Sequence, residues 1–375
     1  MTFCYAPWTN VDISPIGNIT PCCKFQSQYY SDKFNMAVDS LEKYVNSNLL
    51  TTVKQDWIEG KWPAGCERCR IEETNGIASK RQLDYERWQS HYEHYNINSD
   101  QEFLTASMAF GNTCNLKCIT CSPQSSSKWQ KEYFDIYNID VKPVKFYKQN
   151  FVEEFANKTN GLIHLDIPGG EPLLTGVDEQ RQLLQLYIQS GQADKISLHY
   201  TTNATVFPDQ TWWDLWQHFK EIDLQISVDG VGHRFEYIRY PASWSEVEDN
   251  INKYLSIDAS NFRISVSHTI SAYNIYYLDE FVSWCHNMNL PKPWMGKVHT
   301  PAHMRPGVWP AEIRQLISQH LNQSQHTEVL TWAKAMQNLD ESVYWHDFLQ
   351  YLKQHDQHRS LDFCKTFPEL ALFVK

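Results

Sequence analysis

Apolar residues follow two different spacings between about residue 105 and about residue 303. Short alternating runs predict six strands, at 105–110, 162–167, 196–202, 224–229, 262–269 and 294–300. Between them, apolar residues recur every three to four positions and predict helices such as 125–137, 177–189 and 211–222. Strands that alternate with amphipathic helices are typical of a parallel sheet. We therefore expect an α/β fold in which right-handed crossovers form an open or partly closed barrel.

The rest of the chain divides around this segment. Residues 1–100 contain five of the ten cysteines and are predicted to form a cysteine-rich module. Residues 101–304 form the predicted barrel. Helical patterns at 311–321 and 328–339 make residues 305–375 a C-terminal helical extension, for which we expect a structural role.

Polar and apolar residues alternate along several predicted strands, so that the polar side chains share one face. In the fourth strand Gln225, Ser227 and Asp229 point away from the apolar side, and in a strand flanked by helices a wet face indicates a polar barrel lumen. Thr201 and Asn203 share one face of the third strand in the same way. Further lumen candidates on the fifth strand are Ser265, Ser267 and Thr269, whereas His268 lies on the apolar side and is expected to be a core histidine.

Composition and charge exclude several classes of protein. A chain of 375 residues with 42% hydrophobic and 21% charged residues is typical of a soluble globular protein. The net charge of -11, without a block of Lys or Arg, argues against a general nucleic-acid binder. Signal-peptide features and membrane-length apolar stretches are missing, so we expect a cytoplasmic protein without a membrane partner. In that compartment ten cysteines indicate metal ligation rather than disulfides.

Three of these cysteines stand close together after the first predicted strand. Cys114, Cys118 and Cys121 are separated by three and then two residues. One tight loop can bring three such thiolates to three irons of a cubane cluster and leave the fourth iron open, which suggests a catalytic cluster. A zinc site completed by a distant residue, or buried thiols, are the alternatives.

This cysteine loop resembles the signature of the radical S-adenosylmethionine superfamily, Cys-x3-Cys-x2-Cys. The resemblance implies a partial (β/α)6 barrel and a [4Fe-4S] cluster whose open iron is chelated by S-adenosylmethionine. It also implies reductive cleavage of that cofactor to a 5'-deoxyadenosyl radical, which abstracts hydrogen from a substrate carbon. Thr120 departs from the pattern, because many members have an aromatic residue just before the last cysteine.

Other strand ends extend the resemblance. Gly169, Gly170 and Glu171 are similar to the Gly-Gly-Glu-Pro motif that binds the amino group of S-adenosylmethionine. Ser227, within Ser-Val-Asp-Gly, resembles a serine that contacts the cofactor carboxylate in peptide-modifying relatives, and Arg239 falls where those relatives have an arginine. By position, Thr201 and Asn203 are further cofactor-binding candidates. Asp229 is the candidate catalytic residue, and Asp166 and Tyr200 are weaker candidates for a base or hydrogen donor.

The N-terminal cysteines form a second candidate metal set. Its members are Cys4, Cys22, Cys66 and Cys69, with Gly17 five positions before Cys22. The order resembles the twitch or SPASM auxiliary-cluster modules, although those modules usually follow the barrel. Four thiolates would also suit a zinc knot, and Cys23 could replace Cys22 as a ligand.

Together these patterns predict a radical S-adenosylmethionine enzyme with an auxiliary cluster, of the oxidoreductase or peptide-modifying type. Its expected cofactors are a [4Fe-4S] cluster, S-adenosylmethionine and an auxiliary iron–sulfur cluster, expected to be [4Fe-4S]. Its expected partners are a reductant such as flavodoxin or ferredoxin and a peptide or small-molecule substrate. The alternative is a non-catalytic protein that uses both cysteine sets for zinc or electron transfer.

Overall fold

Two units make up the chain in the computed structural model, which describes residues 3–74, 76, 78–99, 101–141, 148 and 150–374. Unit 1 consists of Met1–Thr113, Pro143–Tyr200 and Pro208–Ile222. Unit 2 consists of Cys114–Lys142, Thr201–Phe207 and Asp223–Lys375. Unit 1 therefore contains the N-terminal cysteines and Gly169–Glu171, and unit 2 contains the cysteine loop.

The strands of the described chain are β1 (Asn10–Ile13), β2 (Asn18–Thr20), β3 (Phe34–Asn35), β4 (Thr105–Met108), β5 (His164–Ile167), β6 (Ser197–Thr202), β7 (Glu221–Ser227), β8 (Phe262–Ile270) and β9 (Trp294–Lys297). The helices are α1 (Ala6–Thr9), α2 (Leu41–Val45), α3 (Asn48–Ile58), α4 (Glu67–Thr74), α5 (Lys80–Tyr92), α6 (Trp129–Tyr137), α7 (Phe151–Lys158), α8 (Val177–Gln189), α9 (Gln210–Trp216), α10 (His233–Ile238), α11 (Trp244–Leu255), α12 (Leu278–Asn287), α13 (Ala311–Leu321), α14 (Thr327–Asn338), α15 (Trp345–Arg359) and α16 (Phe363–Thr366). No helix in the described residues has the length and apolar character that crossing a bilayer requires.

The sheet is mostly parallel and open, which confirms the predicted α/β class. In unit 1 the strand order is β3-β2-β1-β4-β5-β6, and β1, β4, β5 and β6 run parallel to one another. In unit 2 the order is β7-β8-β9, with β8 parallel to β9. The two hairpin strands β2 and β3 are the antiparallel exceptions among the described pairs.

All six strands predicted from the sequence are present, with ends that move by up to three residues. Strand β7 begins three residues early, at Glu221, because the helix expected over 211–222 ends at Trp216, and β9 ends three residues early, at Lys297. Three short strands, β1 to β3, were not predicted, and they lie within the cysteine-rich segment. The cysteine loop follows β4, the first of the six predicted strands, and β4 is the fourth strand of the chain because β1 to β3 precede it.

The parallel strands of unit 1 have one fully apolar face. Its buried side chains are Val11, Ile13, Ala106, Met108, Leu165, Ile167, Leu198 and Tyr200. Helix α9 packs on this face, because Trp216 of α9 donates a hydrogen bond from Nε1 to the Tyr200 hydroxyl over 3.3 Å. Tyr200 therefore belongs to the apolar core of unit 1, away from the polar face on which a base was expected.

The C-terminal extension packs on the helix that follows the cysteine loop. Glu132 of α6 is 1% exposed, and its carboxylate lies 3.0 Å from His355 Nδ1 and 2.7 Å from Arg359 Nε, both on α15. Lys117 contributes a second ion pair at 2.6 Å, beside the one with Arg359. Burial opposes ionisation, but the His355 hydrogen bond, the Arg359 charge and the Lys117 contact lower the pKa of Glu132 to about 2. A buried charge with several partners can be replaced only at high cost.

We predict that Glu132→Gln destabilises the protein by about 3 kcal/mol at neutral pH, because the variant leaves Arg359 and Lys117 without their carboxylate. A carboxylate whose pKa is lower in the folded state than in the unfolded state stabilises the fold at pH values above its unfolded-state pKa. This stabilisation is lost as the pH falls toward the folded-state pKa. The difference in free energy of unfolding between wild type and variant, measured by chemical denaturation, should thus shrink as the pH falls from about 4.5 to about 2. Exposed Glu312 makes no ion pair within the described residues, and Glu312→Gln should change stability by less than about 0.5 kcal/mol. Equal losses in the two variants would contradict this account.

Candidate functional site

The cysteine loop is irregular, and the rest of unit 2 satisfies its backbone. The Lys117 and Ile119 amides donate to the carbonyls of Tyr240 and Ile238, each over 2.7 Å. The Cys118 carbonyl accepts from Trp129 Nε1 over 3.0 Å. The Ile119 and Leu116 carbonyls accept from Tyr351 Oη over 3.0 Å and from Ser126 Oγ over 2.6 Å. These bonds fix the path of the loop, because an irregular buried segment has few partners of its own.

The three thiols of the loop lie near one another and are largely removed from solvent. Burial raises the pKa of Cys118 to about 12 and that of Cys121 to about 11. The electrostatic interaction with Cys114, which is buried, also raises the pKa of Cys118 and of Cys121. Thiolates in such a place need nearby cations, donors or metal ions, and metal binding there would release protons.

Nitrogen donors from two other segments approach these sulfurs. Arg239 Nη1 lies 3.9 Å from Cys118 Sγ, and Asn203 Nδ2 lies 3.8 Å from Cys114 Sγ. Arg239 Nη2 also pairs with Asp229 Oδ2 at 2.8 Å. Asp229 is 1% exposed, and its other oxygen accepts from the Thr269 amide over 2.7 Å. The structure therefore brings together three predicted site residues, Asn203, Asp229 and Arg239, around the cysteine loop.

The Asp229 carboxylate is engaged on both sides, and this geometry suits a residue that orients Arg239. Burial would destabilise the guanidinium, but the Asp229 charge and the thiols of the loop raise the pKa of Arg239. The pair thus delivers a fixed positive charge to the cysteine loop without leaving a lone buried ion. Arg239 can hydrogen-bond to sulfur, which tunes the potential of a cluster bound there.

Gly169, Gly170 and Glu171 lie against the segment that leads into Cys114. The Glu171 amide donates to the Thr113 carbonyl over 2.8 Å, and the Gly170 amide donates to the Gly111 carbonyl over 3.3 Å. A Cβ on Gly170 would come within 2.2 Å of the Thr113 carbonyl oxygen. Gly169 has φ +117°, which favours glycine. The Glu171 side chain is buried and accepts from the Leu173 amide over 3.2 Å.

Ser227, Thr201 and Ser267 are half-buried or buried strand residues of unit 2, and the Ser227 and Ser267 hydroxyls lie 3.4 Å apart. His268 is fully buried, donates from Nδ1 to the Val228 carbonyl over 2.8 Å, and stacks on Phe281. Burial lowers the pKa of His268 to about 4. This is the core histidine that the sequence predicts.

Sequence reasoning missed most of a polar row across unit 1. The pairing register places Asp12, Ser107, Asp166 and His199 side by side on the face opposite the apolar one. Burial raises the pKa of Asp12 to about 6. Burial acts in the same direction on Asp166, but the His164 hydrogen bond at 2.9 Å and the His164 charge lower its pKa to about 2. Two carboxylates with different proton affinities can bind a cationic group and exchange a proton.

The four predicted N-terminal ligands meet in unit 1. Cys4, Cys22, Cys66 and Cys69 line one small cavity with Phe25, Trp57 and Arg81, whereas Cys23 is exposed and does not line it. Burial raises the pKa of all four thiols, that of Cys4 to about 12. The Arg81 backbone amide and the Ser79 hydroxyl donate to Cys69. Among the described residues, no group of three or more His, Cys, Asp or Glu side chains lies close enough together to hold a single metal ion.

Comparison with known proteins supports the assignment of the N-terminal module. Residues 4–70 match the SPASM family, described as an iron-sulfur cluster-binding domain. The match includes all four cavity-lining cysteines, so the predicted SPASM-like iron–sulfur module is confirmed. No curated protein matches the chain.

Solved structures match the chain at low similarity. Native anSMEcpe with bound AdoMet has 17% identity and a TM-score of 0.45, with 58% of this chain and 59% of that chain covered. SuiB of Streptococcus suis bound to S-adenosylmethionine has 14% identity and a TM-score of 0.40, with coverage of 84% and 68%. TYW1 with a lysine-pyruvate adduct bound has 12% identity and a TM-score of 0.37, with coverage of 59% and 73%. At TM-scores below 0.5, this structural similarity supports no conclusion about function.

We predict that Gly170→Ala destabilises the protein by about 1–3 kcal/mol, because the new Cβ collides with the backbone just before Cys114. The displacement of the backbone before Cys114 should also lower the amount of iron that the cysteine loop retains. Gly60→Ala is the matched control, because Gly60 has φ +71° with no heavy atom near its Cβ position. It should cost about 1–2 kcal/mol for the backbone alone and leave the iron content unchanged. Denaturation and iron analysis measure both effects, and normal iron in Gly170→Ala would contradict the close-approach argument.

A protein that lacks the cysteine loop thiols reports on the N-terminal set alone. We predict that Cys114→Ala/Cys118→Ala/Cys121→Ala, reconstituted without oxygen, retains about four iron atoms per chain. Elemental analysis that finds about one zinc and no iron would instead identify a zinc knot.

Proposed function

We propose that the chain is a radical S-adenosylmethionine enzyme that abstracts hydrogen from a substrate carbon. The observation that carries the proposal is the convergence of Arg239, paired with Asp229, and Asn203 on the thiols of the cysteine loop. A structural zinc site would need four thiolates or imidazoles, and the cysteine loop supplies three thiols. Three thiols with a surrounding cation and amide fit a cubane with one open iron.

The bound cofactors would supply the hard chemistry, namely the reductive cleavage of S-adenosylmethionine to a 5'-deoxyadenosyl radical. The protein supplies orientation and electrostatics. Cys114, Cys118 and Cys121 would hold the cluster. Arg239 places a positive charge beside the loop, and Asp229 fixes the direction of that charge. Asn203 is itself held in place, because its Oδ1 accepts from the Thr205 amide over 2.9 Å.

The remaining candidates have assigned roles in this proposal. Gly169, Gly170 and Glu171 would receive the amino group of S-adenosylmethionine, because the glycines admit close approach and a carboxylate suits an ammonium group. Ser227 and Thr201 offer hydroxyls at strand ends. We assign Asp229 a positioning role, because its carboxylate pairs with Arg239 and accepts from the Thr269 amide.

The N-terminal module would hold an auxiliary cluster with four protein ligands. Such a cluster has no open iron and would carry electrons rather than bind substrate. Cys23, which lies outside the cavity, is not assigned as a ligand. A peptide or a small molecule remains the substrate class of the proposal.

The proposal predicts 5'-deoxyadenosine when the anaerobically reconstituted protein receives dithionite and S-adenosylmethionine. Cys118→Ala should abolish this product, because two thiolates cannot hold the cluster. Cys364→Ala is the control, since Cys364 lies outside both cysteine sets, and it should retain the wild-type rate. Mass spectrometry measures the product. A wild-type protein with filled clusters and no cleavage would favour the non-catalytic electron-transfer alternative.

A further inference from the structure

A surface cavity of unit 2 reaches the cysteine loop from outside. It has a volume of about 530 Å³, and two of its lining residues, Asn115 and Lys117, are loop residues between Cys114 and Cys118. A molecule seated in this cavity therefore contacts the loop itself. The Lys117 amide donates to the carbonyl of Tyr240, another lining residue, over 2.7 Å, so this part of the cavity wall is held in position.

The cavity has an excess of positive charge. Lys128 and Lys131 line it, both are exposed, and neither makes an ion pair within the described residues. Glu132 also lines the cavity, but Lys117 and Arg359 compensate the charge of its carboxylate. Asp135 is the remaining carboxylate, and His358 adds an imidazole at the rim.

Helix stability does not explain these lysines. Lys128 is the N-cap of α6 and Lys131 is in its first turn, where the helix dipole disfavours cations. They lie three residues apart on one side of the helix. The chain as a whole carries a net charge of -11, so an acidic protein would be repelled except at a local basic surface.

We infer that this cavity is the docking surface for a small acidic electron-carrier protein. The inference rests on the proposed function, which requires one electron at the cluster. The reduced carrier loses one electron and the cluster gains it; no bond forms or breaks and no proton is needed. Docking over Asn115 and Lys117 places the carrier against the loop that holds the cluster, with the lysines attracting its carboxylates.

The test compares two routes of reduction in Lys128→Glu/Lys131→Glu. Flavodoxin with its reductase delivers electrons by docking, whereas dithionite is too small to need a docking surface. The ratio of the flavodoxin-driven to the dithionite-driven rate of 5'-deoxyadenosine formation should fall about 10-fold at low ionic strength. The loss should shrink above about 0.15 M salt, where exposed charges are screened.

Binding of oxidised flavodoxin, measured by calorimetry at low salt, gives a readout that does not depend on activity. It should weaken by a similar factor in the same variant. The matched control, Lys195→Glu/Lys334→Glu, changes the net charge equally at two exposed lysines that do not line the cavity. It should retain both the ratio and the binding.

An unchanged ratio and unchanged binding in Lys128→Glu/Lys131→Glu would overturn the inference. Equal losses in the control would do so as well, because they would show an effect of net charge alone. If the wild type forms no 5'-deoxyadenosine with dithionite, the proposed function fails, and the calorimetry still decides the docking surface by itself.

Discussion

The hydrogen bonds that fix the cysteine loop are the constraint on which the rest of unit 2 depends. The loop is an irregular segment, and buried amides and carbonyls without partners are costly. Partners come from the end of α10, from Trp129 of α6 and from Tyr351 of α15. The C-terminal extension thus does more than pack behind the barrel, because one of its helices holds the backbone from which the thiols project.

Electrostatics follows from the same arrangement. Desolvated thiols resist ionisation, so a loop meant to hold thiolates needs positive charge that is itself kept from solvent. Arg239 meets this need, and its pairing with Asp229 avoids a lone buried cation. Glu132 has the corresponding role farther from the thiols, where it joins Lys117 of the loop to α15. Arg239 and Lys117 therefore each have a carboxylate partner that also sets their position.

The sequence was informative wherever the signal is local. Strand period predicted β4 to β9, and cysteine spacing predicted both metal sets, because each depends on neighbours in the chain. The strands β1 to β3 are two to four residues long and too short for a period. The row that joins Asp12 to His199 depends on the register of four strands, which no single strand contains. From the sequence alone Glu132 is predicted to face solvent, because its burial depends on α15, which lies more than 200 residues later in the chain.

We propose that the cysteine loop holds a cluster with an open iron that chelates S-adenosylmethionine. Electron–nuclear double resonance on the reduced full-length protein tests it most directly, with the cofactor labelled with ¹⁵N at its amino group. The account predicts a ¹⁵N coupling to the cluster spin in the wild type and its loss in Cys118→Ala. A reduced cluster signal in the wild type without any ¹⁵N coupling would contradict it.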